Sequence, residues 1–204
     1  MPVVYSQHGV IVKTAGFDVI GGRRYNTIQM PDGKTWMAEN LDYKFCNIGG
    51  SGTPTTPNAW YYSNNESTYG WEGKKYGILY NWHAVKLLND NRADLIPGWH
   101  VPSTTEWDAL TTAVGGANNA GTVLKSTTEW NSGAGTDAYG FTAFPAGSYY
   151  GSFGNLGSYS YFWTSTEYNS SNAYIRRLDT DTSLVSNYSI KTYGYSVRLV
   201  RDSQ

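Results

Sequence analysis

Helical spacing is confined to one block of this chain, and that restricts the fold more than any residue count does. Apolar residues at Ile78, Leu79, Trp82, Val85 and Leu88 predict a first helix over Ile78 to Leu88. Ser103-Thr104-Thr105-Glu106, just after Pro102, is a capping-box pattern. It opens a second helix with Trp107, Leu110, Thr111 and Val114 inward, ended by Gly115-Gly116. Pro97-Gly98-Trp99-His100-Val101-Pro102 is a rigid connector between them. Elsewhere only short strand-like runs occur. Before the block stand Val10-Ile11-Val12, Phe17-Asp18-Val19-Ile20, and a hairpin of Arg24 to Met30 with Thr35 to Ala38 about the turn Pro31-Asp32-Gly33-Lys34. Residues 46–75 read as irregular loop held by Trp60, Tyr61, Tyr62 and Trp71. After Ala117 no helix is expected, and Val123-Leu124-Lys125, Phe141 to Phe144, Tyr161 to Thr164 and Val197 to Val200 are strand candidates. The result is one α+β domain over residues 1–204, with two helices, short antiparallel strands and long loops. Residues 1–21 form an N-terminal extension.

Little in the chain offers chemistry. His8, His83 and His100 are the only histidines and Cys46 the only cysteine, which excludes a disulfide framework and a multi-thiolate metal site. A Cys/His pair can be drawn from Cys46 to His83 or His100, but no local signature supports it, so no enzyme is expected. Asp179-Thr180-Asp181 puts two carboxylates on one side of an extended strand, with Glu167 nearby, yet a calcium loop needs more oxygens; exposed polar residues are the better reading. No cofactor is expected. The formal net charge of −1, without a basic cluster, argues against nucleic acid. No apolar run suits membrane insertion. Met1-Pro2-Val3-Val4-Tyr5 lacks a signal peptide's basic and apolar segments, which points to a virion or cytoplasmic product, or to a cell-surface protein trimmed at this end.

The C-terminal quarter is the anomaly. From Ser148 to Ser196, thirty-one of forty-nine residues are Tyr, Ser, Asn, Thr or Asp, and only six are charged, so the stretch has a paratope's palette. In a paratope Tyr supplies rigid contact area and Ser or Asn adaptable hydrogen bonds. Fixed points, Phe162-Trp163, Leu178, Gly194 and Val197, punctuate it.

Several motifs run in one order along the chain. They are Trp36-Met37-Ala38-Glu39-Asn40-Leu41, Tyr76-Gly77-Ile78-Leu79-Tyr80-Asn81-Trp82, the Pro97 to Ser103 run with Glu106-Trp107, Gly140-Phe141, Pro145-Ala146-Gly147 and Phe162 to Tyr168. Together they resemble the Fibrobacter succinogenes major paralogous domain, from about Gly22 to Asp202. The resemblance implies a C-type-lectin-like fold. It further implies, for one branch, the variable protein of a diversity-generating retroelement, where error-prone copying at template adenines rewrites the gene's 3′ end. On that reading residues 148–200 are a variable ligand-binding region. Its diversified positions would be Tyr174, Arg176, Asp179, Asp181 and Ser183, then Ser186, Tyr188, Ser189, Thr192 and Tyr193, with Tyr149, Tyr150 and Ser152 on the same rim. Two departures stand out: Ile96 and Leu199 occupy places where many members carry cysteine. Formylglycine-generating enzymes share a related fold, but their chemistry needs a cysteine pair. The expected function is therefore binding of a protein or glycan on a cell surface, as a phage receptor-binding or bacterial display protein, or alternatively with fixed specificity. The oligomeric state is not fixed by the sequence.

Overall fold

The computed structural model describes residues 15–202; Val10-Ile11-Val12 and His8 lie outside them. Strand β1 (Ala15–Ile20) pairs antiparallel with β2 (Arg23–Gln29), which pairs with β3 (Lys34–Met37). The β2–β3 connection is the expected hairpin: Gly33 takes φ 81°, a left-handed value that costs a glycine little, and its N–H donates to Met30 O. Two short strands, β4 (Asn47–Ile48) and β5 (Asn58–Trp60), interrupt the predicted irregular loop, as does the single-turn helix α1 (Glu66–Tyr69). Within that segment Trp60 and Tyr61 are buried, while Tyr62 and Trp71 are half-buried.

The first predicted helix begins later than its apolar spacing suggested. Leu79–Tyr80 form β6, which pairs with β5, and the helix proper is α2 (Trp82–Asp90). Asn81 decides the boundary, because its side chain accepts the Ala84 N–H at 2.9 Å as an N-cap. A single turn, α3 (Arg92–Leu95), follows. Helix α4 (Thr104–Ala113) has the full capping box, with Ser103 Oγ accepting from Glu106 N and Glu106 Oε2 accepting from Ser103 N. Trp107, Leu110 and Val114 face inward as expected, and Thr111 is half-buried.

Helices do not end there. Residues Ala117–Leu124 form α5, where no helix was expected, and Val123-Leu124 belong to it and not to a strand. Two asparagines and a mid-helix glycine give this segment poor intrinsic propensity. Packing overrides it: a Cβ on Gly121 would sit 2.5 Å from Thr182 O, so only glycine lets the helix lie against that backbone. Phe141 to Phe144 is likewise not a strand, contributing only the bridge from Ala143 to Lys125. With five α-helical segments among the described residues, the expectation of two is corrected, and the class remains α+β.

Short strands β7 (Ser148–Tyr149) and β8 (Phe153–Gly154) precede β9 (Ser160–Glu167), β10 (Asn172–Leu178) and β11 (Leu184–Ile190), which form an antiparallel sheet in the order β11-β10-β9. The last strand, β12 (Val200–Asp202), pairs with β3, so the described segment's two ends share one sheet. Residues 197–199, read as the start of that strand, run beside it, with Val197 O and Leu199 O accepting from Leu41 N and Met37 N.

The motif residues prove to be the frame. Arg198 is fully buried and donates to Asn40 Oδ1 at 2.7 Å and to the carbonyls of Met37, Phe141 and Thr142. Burial pushes its pKa down, while four oxygen acceptors hold the charged form. Trp163 Nε1 donates to Tyr80 O and Trp82 Nε1 to Thr164 O, locking α2 and β6 to β9. Ile96 and Leu199, at the two cysteine places, are both fully buried in one apolar cluster.

Candidate ligand-binding surface

The β10–β11 hairpin carries most of the suspected contact residues and sets where they point. Side chains alternate across a strand, and directly paired residues share a face. The register pairs Tyr174 with Tyr188, Arg176 with Ser186 and Leu178 with Leu184; it pairs Ala173 with Ser189, Ile175 with Asn187 and Arg177 with Val185. The suspected positions therefore divide between two faces.

On the first face Ala173, Ile175 and Trp163 enter the core beneath Tyr195 and Val197. Beyond them the tyrosines form a continuous strip. Tyr159 stacks on Tyr161 (centroids 5.6 Å apart), Tyr161 on Tyr195 (4.7 Å), and Tyr150 tilts against Tyr193 (6.1 Å). Ser189 Oγ lies 2.9 Å from the Tyr195 hydroxyl, and the Arg177 guanidinium lies 5.8 Å from the Tyr159 ring. Burial first, and neighbouring tyrosines after it, raise the pKa of Tyr161, and burial raises that of Tyr195 to about 12, so both phenols stay neutral. Tyr150 is 44% exposed, Ser152 is exposed, and Thr192 and Tyr193 are half-buried. Tyr149 is support, not surface: it is buried, stacked on Trp60 at 4.2 Å, and its N–H donates to Gly194 O. A Cβ on Gly194 would meet Trp60 and Tyr149 carbons at 3.0 and 3.1 Å, so this stacking needs glycine there.

The second face is covered at one end, where Leu178 and Leu184 pack with Trp107, Leu110 and Leu124. Past that cover Tyr188 stacks on Tyr168 at 4.2 Å and Tyr174 meets Tyr168 edge-on; Tyr168 and Tyr188 are about half exposed and Ser186 is exposed. Arg176 offers no contact surface. It is 1% exposed, and its Nη2 donates to Asp108 Oδ1 at 2.6 Å and Thr104 O at 3.1 Å, tying β10 to α4.

Asp179 and Asp181 lie in the turn between β10 and β11, not on an extended strand. Asp179 is 9% exposed; its carboxylate pairs with Arg177 at 3.1 Å and accepts the Asp181 N–H, while Asp181 is exposed and Ser183 half-buried. The cation serving this turn is Lys125, whose buried ammonium donates to the carbonyls of Gly133, Asp179 and Asp181. Burial lowers its pKa and the two aspartates oppose that shift.

Sequence reasoning missed Tyr159, Tyr161, Arg177, Asn187 and Tyr195 on the first face and Tyr168 on the second. The signal was available as alternation of Ala173, Ile175 and Arg177 against Tyr174, Arg176 and Leu178. The thiol and histidines show no nucleophile geometry: burial pushes the Cys46 thiol up to about 12, and its Sγ lies 3.6 Å from Asn47 O. His83 is lowered by burial and then by Lys191, and His100 Nε2 lies 2.6 Å from the capping Glu106.

Among the described residues no helix is long and apolar enough to cross a membrane. Comparison with curated proteins and with solved structures returns no match. The family model of the Fibrobacter succinogenes major domain matches residues 32–201, from the turn of the β2–β3 hairpin to the last strand, and the chain belongs to that family.

Proposed function

We propose that the chain is a non-catalytic binding domain of C-type-lectin-like type whose contact surface is the outer part of the β9–β10–β11 sheet with the loops beside it. The observation carrying this reading is the set of part-exposed tyrosines Tyr150, Tyr159, Tyr161 and Tyr193 around the buried Tyr195, which stacks on Tyr161 and belongs to the core beneath them. Each aromatic contact a ligand makes there contributes about 0.5–1.5 kcal/mol beyond its buried area. The rings are already packed against one another, so little side-chain entropy is lost on binding. Hydroxyl and amide groups of Ser189, Asn187 and Ser152 supply the polar contacts. The target is a protein or glycan on a cell surface, bound without metal or cofactor.

The residue palette further supports diversification of this surface by a retroelement, in a phage receptor-binding or bacterial display protein. Deep sequencing of the gene's 3′ end and flanks in the source population tests it. Substitutions at adenine positions of a nearby near-copy, falling on Tyr188, Ser189 and Tyr193 and sparing Trp163 and Arg198, are the expected result. A uniform sequence with no neighbouring template overturns diversification and leaves a binder of fixed specificity, for which a glycan array is the next screen.

A further inference from the structure

The outer side of β11 is a strand edge that helix α5 covers only at its start. β11 is terminal in its sheet, and among the described residues no other main chain bonds to the stretch Val185 to Ser189 beyond β10. Natural proteins blunt such edges with charges, prolines or bulges. Leu184–Ile190 has no charge and no proline, and its seven residues pair one-to-one with β10 without a bulge. Two guards are present: α5 lies against the start of the strand, with Thr122 N donating to Thr182 O, and further along Asn187 Oδ1 accepts the Tyr188 N–H at 2.8 Å. A side chain can take that hydrogen only if the N–H points away from β10. By alternation the Ser186 and Ile190 N–H groups point outward as well.

From this we propose that two copies of the chain pair through antiparallel β11 edges about a two-fold axis at Asn187. In that register Ser186 faces Tyr188 of the second copy, exchanging two main-chain bonds, and the symmetric pair exchanges two more. Val185 then faces Ser189, and Asn187 faces its own counterpart. No like charges meet: the nearest ones are already neutralised, Arg177 by Asp179, Arg176 by Asp108, and Lys191 by Glu167. The Asn187 guard is displaced cheaply, because it exchanges one bond to its neighbour's N–H for bonds to solvent or to the partner. The self-complementarity of an uncharged edge is what favours a second copy over a charged peptide.

The pairing joins two three-stranded sheets into one of six and sets two contact surfaces side by side, so a multivalent target gains avidity. This consequence rests on the binding reading above. The pairing itself does not. It is carried by main-chain groups, so uncharged substitutions at Ser186, Tyr188 or Ser189 that keep the main-chain N–H leave it intact.

Sedimentation of the full chain without ligand, up to about 1 mM, tests it independently of any target. The wild type is expected to shift toward dimer mass with concentration. Asn187→Lys and Asn187→Asp each set like charges face to face and are expected to stay monomeric, while their equimolar mixture regains the dimer. Ser186→Pro deletes one outward N–H without touching the β10 ladder and is expected to weaken dimerisation, its fold checked by circular dichroism. A wild type monomeric throughout, or a Lys/Asp mixture that fails to pair while both variants are folded, overturns the proposal.

Discussion

Replacing Lys125 by methionine tests how the β10–β11 hairpin is held. The Lys125 ammonium is buried and donates to Asp179 O at 2.8 Å, Asp181 O at 2.7 Å and Gly133 O. Methionine keeps most of the stem's volume and its packing near Trp130 but removes all three donors. Only the bond to Asp179 O is fully buried, so that carbonyl is left without a partner, which costs about 1–3 kcal/mol. The other two lie in partly buried positions where water reaches them, and each loses about 0.5–1.5 kcal/mol. No longer burying an ammonium offsets part of this. The net expectation is a loss of about 2–4 kcal/mol, a large share of the roughly 5–15 kcal/mol typical of a domain. Urea unfolding should show a lower midpoint at unchanged slope. Amide exchange should accelerate at residues 180–183 before it does in α4 or β3. A loss under about 1 kcal/mol with unchanged exchange in the turn refutes the pinning role.

Three other outcomes follow from the packing. Gly121→Val should cost more than about 2 kcal/mol by driving α5 off the Thr182–Ser183 backbone, with Asn118→Val as the control that stays within about 0.5 kcal/mol; equal unfolding midpoints would contradict the close approach. Although burial acts upward on Glu106, the His100 imidazole and the Ser103 N–H and hydroxyl hold its folded pKa at about 2. The unfolded value is about 4.3, so the stabilisation, roughly 1–2 kcal/mol once solvent screening of this half-buried carboxylate is discounted, is present above that pH and is lost as pH falls towards 2; Glu106→Gln should flatten this limb of an acid titration. Arg176→Ala should destabilise by about 2–3 kcal/mol, discounted because Asp108 is largely solvated, whereas Tyr193→Ala should change stability by less than about 1 kcal/mol and weaken ligand capture; the reverse pattern would mean the two residues have been assigned the wrong roles.

What was legible in the sequence was legible for local reasons. The capping box at Ser103 and the turn at Gly33 are decided by neighbouring residues, and both form as read. Where distant groups decide, local reading failed. Asn81 moved the start of α2, although Ile78 and Leu79 fit the apolar spacing, because its N–H donates to Asn58 O and its side-chain amide to Pro54 O and Thr56 O, which fixes it as the cap. Helix α5 exists because Gly121 admits the hairpin turn, and nothing within residues 117–124 announces that partner. Phe141 has the residue type of a strand, but its carbonyl is taken by Arg198, fifty-seven positions away.

The contact surface shows the same limit in a sharper form. Composition singled out the region as Tyr, Ser and Asn between fixed points, but composition has no direction, and a surface is made of directions. Once the pairing of Tyr174 with Tyr188 is fixed, Ser189 must lie on the opposite face from Tyr188, and Arg176 must point at α4. A polar residue in the region is therefore not equivalent to a contact residue: Arg176 and Asp179 are spent on the scaffold, while Tyr161, nominally part of a framework strand, is half-buried between the half-buried Tyr159 and the buried Tyr195. It follows that a single ligand engaging the first face can use Tyr150, Ser189 and Tyr193 together but not Tyr188. Simultaneous loss of binding on Tyr193→Ala and Tyr188→Ala would then require a target that wraps the β11 edge, and such a target would compete directly with pairing of two copies there.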